Sequence, residues 1–172
     1  MYRGLVKKGM RSAVGGAVLL MAAITWGQSA TAWGQAATPI PHAHIYPDVQ
    51  AAHTDIQAAL AKARKEHKRV ILDFGGDWCP DCQVLNIYFH QSPNKELVDK
   101  HYVLVDVNIG HEDANLDVAR RYGVPMPHGV PALVVVDPSG KVLYAQNKEF
   151  SDMRNLQSSD LTTFLEAWKP RH

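Results

Sequence analysis

The chain has 172 residues, with 18 Lys and Arg against 17 Asp and Glu, a formal net charge of +1 at neutral pH. So close a balance leaves no electrostatic footprint for nucleic acid or for an anionic membrane surface. Once a leader is set aside, the remaining length suits one domain with one core, and no internal repeat divides it.

The leader comes first. Arg3, Lys7, Lys8 and Arg11 make a basic start, and Ala13 to Ile24 is an apolar run too short to span a bilayer comfortably. Ala30-Thr31-Ala32 fits an A-x-A cleavage pattern, with a second possible cut after Ala37. Residues 1–32 therefore read as a cleaved secretory signal peptide, the alternative being an uncleaved membrane anchor. No later segment is apolar enough to cross a membrane, so the mature protein is expected in an oxidising compartment, most simply a bacterial periplasm. Residues 33–47, with three prolines between Thr38 and Pro47, read as a flexible lead-in to a domain over 48–172.

From Asp48, an expected N-cap, the segment Val49 to His67 carries Ile56, Ala59, Leu60 and Ala63 at helical spacing. Val70 to Phe74 is a short β-rich run without polar alternation, as expected for a strand buried on both faces, and Gly75-Gly76 ends it. Pro80 suits the first position of a helix, whose inward stripe is Val84, Leu85, Tyr88 and Phe89. A short helix is expected from Asn94 to Lys100, a strand from Tyr102 to Ile109, and a helix from Asp113 to Tyr122. Val130 to Val136 and Lys141 to Ala145 flank Asp137-Pro138-Ser139-Gly140, a hairpin signal. Ser159 or Asp160 is expected to cap a last helix through Trp168. This order implies an α/β fold whose mixed sheet is parallel first and antiparallel last, with helices on both faces.

The only two cysteines, Cys79 and Cys82, stand in Phe74-Gly-Gly-Asp-Trp-Cys-Pro-Asp-Cys82. As a staple they are poorly placed, because closing so small a ring removes only about 2 kcal/mol of unfolded-chain entropy against about 3 for fifteen residues. The expected helix sets Cys79 at its N-terminus and Cys82 about one turn later on the same side. There the free N–H groups and the positive end of the helix dipole favour a thiolate at Cys79. Cys79 is then the nucleophile toward a substrate disulfide, and Cys82 resolves the mixed disulfide intramolecularly. Asp73, on a strand expected to be buried, should hold its proton more tightly than usual and can accept one as Cys82 ionises. A strand-end aspartate that simply reaches solvent is the other reading.

Asp73-Phe74-Gly75-Gly76-Asp77-Trp78-Cys79-Pro80-Asp81-Cys82, followed about fifty residues later by Gly129-Val130-Pro131 at a strand start, resembles the thioredoxin superfamily from Val70 to Trp168. The helix after the motif, Ser92-Pro93 and Asp106-Val107-Asn108 are most similar to the C-terminal periplasmic domain of the transmembrane thiol:disulfide interchange reductase. The resemblance implies a thioredoxin-like fold and an Asp73 proton acceptor. It also implies a cis Val130–Pro131 bond beside the sulfurs, leaving the Val130 backbone to pair with substrate. Trp78 is expected to shield the sulfurs and to meet partners. Three departures stand out: Asp106 where thioredoxin has a lysine, Asn86 where the reductase domain has an acid, and the longer loop Pro125-Met126-Pro127-His128. Pro80 and Asp81 between the sulfurs tune them, since a carboxylate beside Cys79 disfavours its thiolate and argues for a reductant.

The activity implied is thiol-disulfide exchange with protein disulfides or dithiols, as a reductase or electron relay fed by a membrane-embedded donor. It calls for no cofactor, no metal, no nucleic acid and no membrane insertion after signal cleavage, and the protein is expected to work as a monomer. The competing reading is copper or zinc delivery by Cys79 and Cys82 with His128 or Met126, and a possible His42/His44 site. A module that uses the fold for protein contacts alone is the third.

Overall fold

The computed structural model describes residues 43–124, 129–146 and 149–171. The leader, His42, Met126 and His128 lie outside the described residues.

Strand β1 (Arg69–Gly75) is the hub, buried from Val70 to its end. It pairs in parallel with β2 (Tyr102–Asn108) and antiparallel with β3 (Ala132–Val136). Strand β4 (Val142–Ala145) pairs antiparallel with β3, so the four-stranded order is β2-β1-β3-β4. The expected change from parallel to antiparallel pairing is present, and a central strand flanked on both edges explains the unbroken apolar run.

Strand alternation sends Val70, Leu72 and Phe74 into one apolar cluster and Ile71 into the other. The first cluster is covered by α1 (Ala52–Glu66) through Ile56, Ala59, Leu60 and Ala63, and by Val118 and Ala119 of α4 (Leu116–Arg121). The second is covered by Leu85 and Phe89 of α2 (Pro80–Phe89), with Leu161 and Leu165 of α5 (Ser158–Trp168). Between them α3 (Asn94–His101) leads into β2. Asn94, fully buried, donates from Nδ2 to the Tyr88 carbonyl at 3.0 Å and the Ser158 carbonyl at 3.1 Å, and its Oδ1 accepts from Thr162 Oγ1 at 2.6 Å. These bonds tie the end of α2 to α5. Among the described residues no helix is long and apolar enough to cross a membrane.

Three expected element ends are corrected. Asp48 caps nothing with its side chain; a 3-10 turn at Val49–Ala51 comes first and α1 begins at Ala52. The helix expected from Asp113 starts only at Leu116, because Gly110, Glu112 and Asn115 take positive φ. The Asp113 carboxylate accepts from the His111 N–H, and Asn115 Nδ2 donates to the carbonyls of Val49 and Asn108. Such polar side chains compete with the helical ladder and hold a turn instead. For α5 the cap is Gln157, while Asp160 returns a bond to the Gln157 N–H at 2.7 Å and completes a capping box.

Candidate active site

Gly75 and Gly76 carry the chain out of β1, and the Cys79 N–H donates to the Gly76 carbonyl at 3.0 Å, closing a tight turn. Pro80 then occupies the first helical position, as the sequence predicts, and Cys79 is the extended N-cap residue with φ −87° and ψ 113°. Cys79 and Cys82 are joined as a disulfide with their Cα atoms 5.2 Å apart. The Cys82 N–H, free because it lies in the first turn, donates to Cys79 Sγ at 3.1 Å. That donor favours negative charge on the outer sulfur. Cys82 is fully buried and Cys79 retains 3% exposure, so Cys79 is the sulfur nearer the surface. Asp81 lies in the same first turn, and Pro80 is exposed beside it.

The Val130 carbonyl oxygen lies 3.6 Å from Cys79 Sγ, and the Val130–Pro131 peptide is cis. A residue the sequence analysis missed holds this segment. Gln146 is buried; its Nε2 donates to the Pro131 carbonyl at 2.8 Å and its Oε1 accepts from the Leu133 N–H at 2.9 Å. Trp78 is 40% exposed, stacks on His111 with ring centroids 5.5 Å apart, and donates from Nε1 to the Gly110 carbonyl at 2.5 Å. These contacts fix its indole toward the β2–α4 turn.

Asp73 is buried on β1. Burial pushes its carboxyl well above the usual range, and the neighbouring Asp106 charge pushes the same way; the Tyr46 hydroxyl, donating to Oδ2 at 3.1 Å, opposes them. Oδ1 has no hydrogen-bond partner. Asp106 faces Asp73 in the β1–β2 register. Burial raises it to about 6, against the pull of His90 and with a further push from Asp77. A cation placed here, as at the thioredoxin lysine, would lower both carboxyls; an acid does the reverse.

Tyr46 belongs to the segment expected to be a flexible lead-in, and from Ala43 onward that expectation is corrected. The Ile45 and Tyr46 N–H groups donate to Asp77 Oδ1 at 2.8 and 3.0 Å, and His44 Nδ1 lies 2.6 Å from Asp77 Oδ2. Gln83 Nε2 donates to the Ala43 carbonyl at 3.0 Å, and its Oε1 accepts from the Ala43 N–H at 3.0 Å. Burial pushes the Asp77 carboxyl up, but the Tyr46, Ile45 and His44 donors outweigh it and leave the group below its usual range. The strap is thus hydrogen-bonded to the turn that carries Cys79. Nothing periodic in the sequence announces this, since its partners stand 27 or more residues away.

Among the described residues no group of three or more His, Cys, Asp and Glu is placed to hold a metal ion.

A family model described as thioredoxin-like matches residues 51–138. The chain belongs to the thioredoxin-like family. Its Cys79–Cys82 pair makes it a thioredoxin-like thiol-disulfide oxidoreductase, and its α/β fold matches the crystal structure of a disulphide isomerase from Xylella fastidiosa. That match has 32% identity and a TM-score of 0.68, covering 73% of this chain and 96% of the other. The reduced C-terminal domain of DsbD from Neisseria meningitidis is similar at 25% identity and a TM-score of 0.50, over 68% of this chain and 96% of that domain. Over 116 residues the chain is 28% identical to the thiol:disulfide interchange protein DsbD of Pseudomonas fluorescens, covering 66% of this chain and 18% of that protein. It thus spans less than a fifth of that relative's length.

Proposed function

We propose that this oxidoreductase reduces disulfides of protein substrates in the periplasm, or relays electrons to them, through Cys79-Pro80-Asp81-Cys82 after signal-peptide cleavage within residues 1–37. The observation that carries the proposal is the outer sulfur at the start of α2. It accepts the Cys82 N–H while the inner sulfur is sealed beside a buried carboxyl system.

In the dithiol form, Cys79 thiolate attacks one sulfur of the substrate disulfide and the other leaves as a thiolate. Cys82 then gives up its proton toward Asp73 and attacks Cys79 Sγ. The Cys79–Cys82 disulfide re-forms and the second substrate sulfur departs. Two electrons pass from enzyme to substrate in each cycle, and an external dithiol, which we assign to a membrane-embedded donor, must restore them. Similarity to the DsbD region supports this placement. The Val130 carbonyl, exposed Trp78 and the Pro131 turn around Cys79 give an extended substrate segment a backbone and an aromatic surface to meet.

Trapping tests it. Cys82→Ala expressed with its leader should accumulate disulfide-linked partners at Cys79, in periplasmic extracts, and the wild-type protein should reduce insulin with a reversible dithiol potential. Failure to cycle with glutathione, together with no trapped partner, would overturn the proposal.

A further inference from the structure

The Asp73 carboxyl and Cys82 are both sealed in the core, so a proton passing from one to the other travels through the protein interior. The Tyr46 side chain borders both. Its hydroxyl donates to Asp73 Oδ2, and the ring is fully buried. Gly75 fixes its relation to the inner sulfur. A Cβ built on that glycine would stand 2.7 Å from Cys82 Sγ and equally 2.7 Å from Tyr46 Cζ, with the Tyr46 hydroxyl nearer still. Sulfur and phenol therefore crowd one point, which only a residue without a side chain leaves open to both.

We propose that Tyr46 relays the resolving proton: in the mixed-disulfide intermediate its hydroxyl oxygen takes the proton of Cys82 Sγ as its own passes to Asp73 Oδ2. The products are Cys82 thiolate, an unchanged neutral tyrosine and a protonated Asp73, so the step balances with no further reactant. The proposal rests on Asp73 as terminal acceptor and adds the carrier. The strap positions it, because Asp77 holds the backbone of Ile45 and Tyr46 two residues before Cys79. The chain thus builds its relay from a segment outside the strand-turn-helix motif. Burial, then the Asp73, Asp106 and Asp77 charges, keep the phenol far above its ordinary range, so it stays neutral and serves as a conduit. The charged groups facing the system are Asp106 from β2, Asp77 from the β1–α2 turn, and His90 at the end of α2 toward Asp106.

The experiment follows ring closure in single turnover. Reduced protein is mixed with glutathione disulfide, quenched in acid, and the Cys79–glutathione adduct is resolved from the intramolecular disulfide by mass. Tyr46→Phe keeps the ring and removes the hydroxyl. Loss of assisted proton transfer should slow closure at about pH 7 by about tenfold or more, with the deficit shrinking toward pH 10 as hydroxide takes over. Adduct formation at Cys79 should be unchanged. Tyr46→Phe/Asp73→Asn should close no more slowly than Asp73→Asn alone, as for two parts of one relay. Should Asp73→Asn slow closure while Tyr46→Phe matches wild type, or should the two losses multiply, the relay is overturned and Asp73 stands. Should Asp73→Asn itself close at the wild-type rate, the acceptor is wrong and the relay falls with it. Asp77→Ala, which removes the carboxylate that holds the Ile45 and Tyr46 N–H groups and leaves ring and sulfur chemically intact, is a second probe and should reproduce part of the pH-dependent deficit. A wild-type profile there contradicts the proposal.

Discussion

Asp106→Asn isolates the cost of burying an ionisable carboxyl beside Asp73. Asp106 and Asp73 are register partners on β1 and β2, and burial raises Asp106 from 3.8 to about 6. Converted at 1.36 kcal/mol for each tenfold change in proton affinity, that difference is about 3 kcal/mol. Because Asp106 is only partly buried and shares its titration with Asp73, about 1–3 kcal/mol is the working figure. The sign follows from which state holds the proton. Between pH 3.8 and about 6 the folded chain keeps a proton that the unfolded chain releases, so stability falls as pH rises through that window and stays low above it. Asparagine removes the ionisation. Urea unfolding of the oxidised protein should therefore show Asp106→Asn more stable than wild type by about 1–3 kcal/mol at about pH 8, with the gain vanishing near pH 4. A variant no more stable than wild type at the higher pH, or one with the same gain at both, would refute the reasoning.

Gly75→Ala places a methyl 2.7 Å from Cys82 Sγ and Tyr46 Cζ, and neither neighbour can swing away cheaply, one being disulfide-bonded and the other buried. Thermal unfolding should show a loss of about 1–3 kcal/mol; an unchanged midpoint contradicts the crowding. Gln146→Ala strips the Pro131 carbonyl and the Leu133 N–H of their buried partner and should cost about 2–4 kcal/mol in urea, where a loss within error of zero would contradict its bracing role. Asp77→Asn should speed amide hydrogen exchange at Ile45 and Tyr46 near neutral pH. Because Asp77 is held below its usual range, wild-type protection there should persist above that range and fade only as acid protonates it; equal exchange in the two proteins would contradict the clamp.

The central part of this site is legible because its signals are local. Pro80 must start a helix, the glycines before it must end a strand, and the uninterrupted apolar run from Val70 marks a strand covered on both faces. Asp73 is readable for the same reason, since a carboxylate within such a strand has nowhere to reach water. What escaped depends on long-range pairing. Tyr46 sits among prolines with no periodicity around it, and its partner Asp73 lies 27 residues on. Gln146, at the end of a half-buried edge strand, looks like surface until its amide is seen to bridge Pro131 and Leu133. The overlong helix from Asp113 fails for a different reason. Its residues have helical character, but Asp113 and Asn115 spend their side chains on the backbone of the turn. Gln157 is outside the usual N-cap set, and only the return bond from Asp160 makes the cap recognisable.

The central claim is that Cys79 is the ionised, attacking sulfur and Cys82 the sealed, resolving one. Alkylation of the reduced protein with iodoacetamide across a range of pH, read separately at each cysteine by mass, tests it directly. The account predicts that Cys79 reacts with a midpoint well below the roughly 8.5 of free cysteine while Cys82 stays protected. A midpoint near that of free cysteine, or modification of Cys82 as fast as Cys79, would contradict it.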